Sequence, residues 1–183
     1  MGFYEKKLES EVVYDGLIVS IRRDMAEIQN GSIVPREVVE HPGGVAIVPV
    51  TKDNRVLMVR QYRYPMEEEL LEIPAGKLAA GEEPFRCAVR ELSEETGCTA
   101  GSYVFLGEIY PTPGYCGERL SIYLARELHY GEMHLDEDEL LSVEAIDIDR
   151  LVEMIMRNEL SDAKSIIGIL KAKRHLEITP NGS

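Results

Sequence analysis

Residues 76–98 read GKLAAGEEPFRCAVRELSEETGC, and the proline and glycine near the two ends of this stretch predict a helix between them. Pro84 suits the first turn of a helix, and Gly97 suits the position just past its last turn. Between them, apolar residues at three- and four-residue spacing predict the buried face of the helix. These residues are Phe85, Ala88 and Leu92. Gly76 and the residues before Pro84 are predicted to form a loop that leads into the helix.

Three glutamates are expected on the other side of the predicted helix. Glu91, Glu94 and Glu95 are spaced i, i+3 and i+4, so their carboxylates should project from one face, where like charges repel. A solvated surface helix is one interpretation of such a run. The other is a cation site, because carboxylate oxygens are hard ligands that suit Mg²⁺ or Mn²⁺. Arg90 can pair with one of these carboxylates and fix its direction.

The rest of the chain predicts an α/β protein of the α+β type, with a mixed β-sheet sandwiched by helices. The first forty residues alternate apolar and polar positions and break at Asn30-Gly31, a typical hairpin turn. They predict a small antiparallel β lobe, residues 1–41, ahead of a larger domain, residues 42–183. In that domain, Asp162 is predicted to cap the last helix. The predicted strands are VAIVPV, RVLMVRQYRY, LLEIP, YVFLGEIYP and LSIYLARELHY, and the predicted helices are DRLVEMIMRNEL (149–160) and DAKSIIGILKAKRHL (162–176).

Composition excludes several classes of partner. The formal net charge is −13 over 183 residues, which argues against nucleic acid and against an anionic membrane surface. No apolar run approaches the length of a membrane span, and the first ten residues lack the apolar stretch of a signal peptide. The three cysteines form no CxxC pair. They are interpreted as buried thiols of a cytoplasmic protein.

The stretch from Gly76 to Cys98 resembles the Nudix box, GX5EX7REUXEEXGU, in which U is an apolar residue. Glu82 follows Gly76 after five residues, and Arg90 opens the second half of the motif after seven more. Only the last position departs from the usual aliphatic residue, and Cys98 packs there as a small apolar side chain. The resemblance implies the Nudix fold and a hydrolase that cleaves a nucleoside diphosphate linked to another moiety.

The resemblance also implies which groups hold divalent ions, Mg²⁺ or Mn²⁺. The matching ligands are the carboxylates of Glu91 and Glu95 and the backbone carbonyl of Ala75, which precedes the box glycine. Glu94 matches a secondary ligand and is counted among the catalytic residues. Such ions neutralise a diphosphate and lower the pKa of a bound water. An acidic helix that binds cations can therefore serve an anionic substrate.

Beyond the box, the chain resembles the ADP-ribose pyrophosphatase branch of the Nudix family. In YPTPGYCGE, a proline stands sixteen residues after Gly97, the position associated with ADP-ribose hydrolysis in that branch. The resemblance implies a substrate-contacting loop, although PTPG is also an ordinary turn sequence. The residues of this loop are Thr112, Pro113, Gly114 and Glu118.

The acidic stretch HLDEDELL, residues 134–141, resembles a loop that supplies further glutamates to the active site. Glu137 matches the general base, and Glu139 matches a further metal-linked carboxylate. The choice of base between Glu137 and Glu139 stays open. A glutamate is a weak base at its reference pKa, but a nearby metal and its bound water can make it competent. The alternative is an ordinary solvated acidic loop.

Other substrate contacts are implied by PREVVEHPG and RQYRYP. Arg63 matches an arginine that contacts the diphosphate, since a guanidinium can fork onto phosphate oxygens. Where the family places aromatic residues that sandwich adenine, this chain has the aliphatic Leu17 and Ile18. These two can cover a base by apolar contact but cannot stack on it. The remaining matched residues are Arg36, Glu37 and His41.

These resemblances imply a Mg²⁺-dependent hydrolase that converts ADP-ribose to AMP and ribose 5-phosphate. A homodimer is implied too, in which N-terminal lobes exchange strands. One alternative is hydrolysis of another nucleoside diphosphate sugar, such as GDP-mannose, by the same site. Another is a non-catalytic module that senses a nucleotide, but such a module would be expected to lose box carboxylates that this chain keeps.

Overall fold

The computed structural model describes residues 2–134 and 140–179. The chain divides into two compact units. The first comprises Met1–Gly43 and Tyr110–Arg119, and the second comprises Gly44–Ile109 and Leu120–Ser183. The segment 110–119 therefore belongs to the same unit as the N-terminal strands, although it lies far from them in sequence.

The first unit contains a three-stranded antiparallel sheet in the order β1-β2-β3. Its strands are β1 (Glu5–Asp15), β2 (Ser20–Ile28) and β3 (Ile33–Glu40). The turn between β2 and β3 forms at the predicted Asn30-Gly31, where Gly31 has φ +84° and its N–H donates to the Ile28 carbonyl at 2.9 Å. Glycine suits this left-handed conformation because it has no Cβ. The predicted antiparallel lobe is thus present.

Segment 110–119 is attached to the edge of β3 by backbone hydrogen bonds. The Val39 N–H donates to the Tyr115 carbonyl at 2.8 Å, and the Val39 carbonyl accepts from the Gly117 N–H at 3.0 Å. Cys116 makes an isolated parallel bridge to Val39. The predicted substrate loop is therefore fastened to the strand that carries Arg36 and Glu37.

The second unit contains two sheets. One is four-stranded and mixed, in the order β7-β4-β9-β8, with β4 and β9 parallel, and the other is antiparallel, in the order β10-β5-β6. Five of these strands were predicted, but two residues of β7, Gly76 and Lys77, were predicted as loop, and β10 was not predicted. The strands are β4 (Gly44–Pro49), β5 (Arg55–Arg63), β6 (Glu68–Glu72), β7 (Ala75–Lys77), β8 (Cys98–Ile109), β9 (Leu120–Tyr130) and β10 (Leu141–Asp147).

Three helices complete the second unit, close to their predicted positions. Gly97, with φ +67°, ends the first helix as predicted. The second is shorter than predicted because Asn158 adopts the left-handed conformation, φ +58°. Asp162 caps the third, accepting a hydrogen bond from the Ser165 N–H at 3.0 Å. The helices are α1 (Pro84–Thr96), α2 (Ile148–Met156) and α3 (Ala163–Ile178).

The core lies on both faces of the mixed sheet, because alternate residues of β4 point in opposite directions. Val45 and Ile47 pack with Ala88 and Leu92 of α1. Ala46 and Val48 belong to a second cluster that contains residues of α2 and α3. All six residues of β4 are buried, as expected for a strand covered on both faces.

This architecture confirms the predicted fold class, in which helices cover both faces of a mixed sheet. Among the described residues, no helix is both long enough and apolar enough to cross a lipid bilayer.

The packing predicts that Leu151→Ala will lower the free energy of unfolding by about 2–5 kcal/mol, because it leaves a cavity beneath α2. Leu151 is fully buried, whereas Leu170 on α3 is 40% exposed. The matched control Leu170→Ala should cost less than half as much. Urea denaturation followed by circular dichroism measures both values, and equal losses would contradict this description of the core.

Candidate active site

The buried face of helix α1 contains two acidic residues as well as the predicted apolar ones. Ala88 and Leu92 are buried as predicted, but Glu91 and Glu95 are buried as well, with 8% and 2% of their surface exposed. Phe85, predicted to be on the buried face, is 49% exposed. Buried carboxylates are costly unless they are paired or coordinate a metal, so the surroundings of Glu91 and Glu95 must compensate their charges.

Arg90 is the main source of positive charge in this acidic region. Its guanidinium lies 2.7 Å from Glu91, 2.7 Å from Glu94 and 3.1 Å from Glu82. The hydrogen bond from Arg90, followed by the one from the Ala79 N–H, lowers the pKa of Glu82 to about 2. The hydrogen bond to Glu82 in turn raises the pKa of Arg90. One guanidinium therefore offsets part of the repulsion among the box carboxylates and fixes their directions.

Strand β7 lies directly against the acidic side of α1. The Ala75 N–H donates to Glu95 Oε2 at 3.0 Å. A Cβ placed on Gly76 would come within 1.9 Å of the Glu91 carboxyl group, so only glycine fits there with this arrangement. The Lys77 carbonyl accepts a hydrogen bond from Arg90 at 3.3 Å. The box glycine thus leaves room for a carboxylate beside the backbone of residues 75–77. This space at Gly76 on β7 is called the glycine cradle.

The oxygen-bearing groups beside β7 are of the kind that binds a hard divalent cation. Glu91 and Glu95 supply buried carboxylate oxygens beside the Ala75–Lys77 backbone, and the cradle at Gly76 is open only because no Cβ fills it. Within residues 2–134 and 140–179, there is no group of three or more His, Cys, Asp or Glu side chains that could hold a metal ion. The remaining ligands of such an ion would therefore be backbone carbonyls, water, substrate oxygens or residues outside those ranges.

The cysteines near α1, Cys87 and Cys98, are buried thiols. All three cysteines are free, with Cys87 and Cys98 buried and Cys116 half-buried. Burial raises the pKa of Cys87 to about 12. Since the thiolate is the reactive form, Cys87 stays protonated and inert at neutral pH. Its sulfur lies 3.4 Å from the Lys77 carbonyl oxygen, as a donor that helps hold β7 on α1.

Arg63, the predicted diphosphate contact, lies at the end of β5 and is paired with a buried carboxylate. Its Nε and one terminal nitrogen donate to the two oxygens of Glu72, each at 2.6 Å. These hydrogen bonds raise the pKa of Arg63, and the charges of Glu72, Asp162 and Glu95 act in the same direction. Glu95 of the acidic helix is thus one of the carboxylates whose charge acts on Arg63.

In the first unit, two of the predicted substrate residues come together. His41 Nδ1 accepts a hydrogen bond from the Gly43 N–H at 3.1 Å and lies 3.7 Å from a carboxylate oxygen of Glu118. Thr112 forms a turn by accepting, through its carbonyl, from the Cys116 N–H at 3.0 Å. Pro113 and Gly114 are exposed in this turn.

The remaining predicted residues of the first unit lie on its surface. Arg36 pairs with Glu5 at 2.7 Å, and Glu37 lies 3.9 Å from Arg23. Leu17 is fully exposed, and 67% of Ile18 is exposed. The predicted general base Glu137 and the predicted metal-linked Glu139 lie outside the described residues.

Sequence reasoning missed two residues that organise this region, Glu72 and Lys164. Glu72 is 1% exposed, although its neighbours Leu71 and Ile73 predict an apolar strand. A lone carboxylate inside LLEIP was the available signal, because a buried charge needs a partner. Lys164 gave no comparable signal, since a lysine in the first turn of a helix is usually solvated.

The cradle at Gly76 predicts that Gly76→Ala will weaken Mn²⁺ binding by about tenfold or more, because the new Cβ must displace the Glu91 carboxylate. Gly114→Ala is the matched control, since its Cβ would meet no atom within 4 Å. Calorimetric titration of Mn²⁺ into each protein, without nucleotide, measures both affinities. Unchanged Mn²⁺ affinity in the Gly76 variant would place the cation elsewhere.

Comparison with known proteins agrees with this geometry. The NUDIX domain family matches residues 40–166. An ADP-ribose pyrophosphatase of Bacillus subtilis is 38% identical over 167 residues, which cover 90% of each chain. A methanol dehydrogenase activator of Bacillus methanolicus is 37% identical over 169 residues, which cover 91% of each chain.

A solved structure of an ADP compounds hydrolase has the same fold, with a TM-score of 0.85 over 96% of this chain and 95% of that one, at 23% identity. The box residues on α1, the glycine cradle on β7 and the family match over most of the chain lead to one conclusion. This chain belongs to the Nudix family.

Proposed function

We propose that this chain hydrolyses the diphosphate bond of ADP-ribose, giving AMP and ribose 5-phosphate, in a reaction that requires Mg²⁺ or Mn²⁺. The observation that carries the proposal is the buried pair Glu91 and Glu95, set against the glycine cradle of β7. The similarity to an ADP-ribose pyrophosphatase over 90% of each chain supports the choice of substrate.

The proposed ligands of the cation are Glu91, Glu95 and the Ala75 carbonyl, with Glu94 as a secondary ligand and Glu139 as a further carboxylate. When bound, the ion offsets diphosphate charge and lowers the pKa of a coordinated water. Arg90 holds Glu91 and Glu94 in fixed directions, and the Ala75 N–H does the same for Glu95. The carboxylates are thereby preorganised, which reduces the cost of binding.

Water is the proposed nucleophile, and Glu137 or Glu139 is the proposed base that accepts its proton. The water oxygen bonds to one phosphorus while the bond between that same phosphorus and the bridging oxygen breaks, so the bridging oxygen leaves with the other phosphate. The released phosphate oxygen keeps the electron pair, so two phosphomonoesters form without a covalent enzyme intermediate. Arg63 is proposed to bind the diphosphate, because a guanidinium presents several N–H donors to phosphate oxygens.

The proposed contacts to the rest of ADP-ribose come from the first unit. Thr112, Pro113, Gly114 and Glu118 form the proposed substrate loop, and its hydrogen bonds to Val39 support this role by fixing the loop on β3. Leu17 and Ile18 are proposed to cover the base by apolar contact. Since these aliphatic side chains cannot stack as rings do, GDP-mannose is a second candidate substrate. The other proposed contacts are Arg36, Glu37 and His41.

The function is tested by ranking kcat/KM for ADP-ribose, GDP-mannose and ADP-glucose in the presence of Mg²⁺. ADP-ribose should have the highest value, and EDTA should abolish the activity. A higher value for GDP-mannose would replace the substrate. Binding of ADP-ribose without turnover at any Mg²⁺ or Mn²⁺ concentration would indicate a nucleotide-sensing module instead.

Glu95→Gln is expected to lower kcat/KM by about 100-fold or more, because a neutral amide is a poor ligand for a hard dication. Glu153→Gln on α2, where the side chain is 58% exposed, is the matched control and should stay within about twofold of the unmodified protein. Circular dichroism checks that both variants fold. Full activity of the Glu95 variant would refute the proposed ligand set.

We also propose a cytoplasmic homodimer in which the N-terminal lobe, residues 1–41, serves dimerisation and base binding. Its support is the number of large apolar side chains that the lobe exposes, since covering such side chains in an interface is favourable. Exposed apolar residues of the lobe are Phe3, Tyr4, Leu8, Val12, Val13, Tyr14, Leu17, Ile18 and Ile33.

The dimer predicts a sedimentation mass twice that of one chain. Ile18→Asp should shift the protein towards the monomer, because it places a charge in the proposed interface. Ile178→Asp is the matched control, since Ile178 on α3 is 66% exposed and Ile18 is 67% exposed. A monomeric unmodified protein, or dissociation by both variants equally, would contradict the proposal.

A further inference from the structure

Glu72 has a deeply buried carboxylate, and two basic side chains pair with it. Only 1% of its surface is exposed. Arg63 donates to both carboxylate oxygens, and Lys164 Nζ lies 2.5 Å from Oε2. Burial alone raises the pKa of Glu72, but the hydrogen bonds from Arg63 and the charge of Lys164 outweigh it, so the pKa is lowered. The carboxylate is therefore ionised and paired at neutral pH.

The pairing leaves Arg63 with unused donors on one side. A guanidinium has five N–H groups, and Glu72 takes one from Nε and one from a terminal nitrogen. Within the described part of the chain, the Arg63 guanidinium hydrogen-bonds to Glu72 alone, so three of its N–H groups remain for another acceptor. The side chain is 40% exposed, which lets an anionic ligand reach these groups.

Lys164 is itself held by the first turn of α3. Its ammonium lies 3.0 Å from the cap residue Asp162, and Asp162 accepts from the Ser165 N–H. The Ser165 hydroxyl accepts a hydrogen bond from the Ile73 N–H at 2.8 Å. The start of α3 therefore contacts two consecutive residues. Lys164 forms an ion pair with Glu72, and Ser165 hydrogen-bonds to the backbone of Ile73.

We propose that Glu72 and Lys164 are positioning residues that aim the free N–H groups of Arg63 at the diphosphate of the substrate. The inference rests on the proposed function, in which Arg63 binds that diphosphate. Lys164 supplies the second donor that Oε2 of Glu72 needs. Without it, the buried carboxylate draws further N–H groups of Arg63 to itself, because leaving a buried charge short of partners is costly. Those donors are then lost to the substrate.

Lys164→Met tests the inference because it removes the ammonium and keeps an unbranched side chain of similar length. KM for ADP-ribose should rise about tenfold, the usual size of one lost charge-assisted hydrogen bond, while kcat changes less than threefold. Lys164→Arg should restore KM to within about threefold. The matched control is Lys173→Met, since Lys173 lies on the same helix and pairs with Asp149 instead. It should leave KM unchanged.

A double-mutant cycle separates positioning from a general loss of structure. Arg63→Met alone should raise KM at least as much as Lys164→Met does. If Lys164 acts through Arg63, adding Lys164→Met to Arg63→Met should change KM by less than about twofold. Multiplied effects would overturn the inference. So would a normal KM in Lys164→Met, and in that case the proposed function would still stand.

If the unmodified protein hydrolysed none of the nucleotide sugars, the proposed function would fail, and NMR of the ¹⁵N-labelled protein would test the pairing separately. The Arg63 Nε–H signal is identified by its loss in Arg63→Met. It should shift in Lys164→Met and stay in place in Lys173→Met. An unchanged signal in Lys164→Met would show that Lys164 does not position Arg63.

Discussion

The contacts of Arg90 with Glu82, Glu91 and Glu94 are the interactions on which the candidate site depends. Carboxylates this close on one helix repel, and burial increases the cost of each charge. A single guanidinium offsets part of that cost and leaves the helix acidic. A bound cation would offset the remainder, so an arrangement that would destabilise an ordinary helix suits the proposed cation site.

The second constraint is the short stretch from Glu72 to Lys77, which is fixed at nearly every residue. The Glu72 carboxylate is paired with two basic side chains. The Ile73 N–H donates a hydrogen bond to Ser165, and the Ala75 N–H donates one to Glu95. The Pro74 carbonyl accepts from the Ile47 N–H at 2.8 Å, so β4 holds the stretch as well. Elements distant in sequence thus fix the backbone beside α1, as expected where ligands must be held within a fraction of an ångström.

Sequence reasoning predicted the features that depend on residues close to one another in the chain. The spacing of Pro84 and Gly97 gave the ends of α1, and the box spacing gave the positions of its glutamates. It placed Glu91 and Glu95 on the side away from Ala88 and Leu92. Both lie on the buried face instead, because they follow Ala88 by three and seven residues, which is the spacing of one helix face. Their burial results from β7, a three-residue strand whose pairing with β4 leaves little local signal. The link between Glu72 and Lys164 was missed for the same reason, since it joins residues distant in sequence.

The box glutamates are proposed to hold a divalent cation beside β7. Crystals soaked in MnCl₂ and AMP, with an anomalous difference map at the manganese absorption edge, test it most directly. We expect a manganese peak in coordination contact with the carboxylates of Glu91 and Glu95 and with the backbone carbonyl of Ala75. A map with no peak there, or with manganese only at exposed carboxylates such as Glu153, would contradict it.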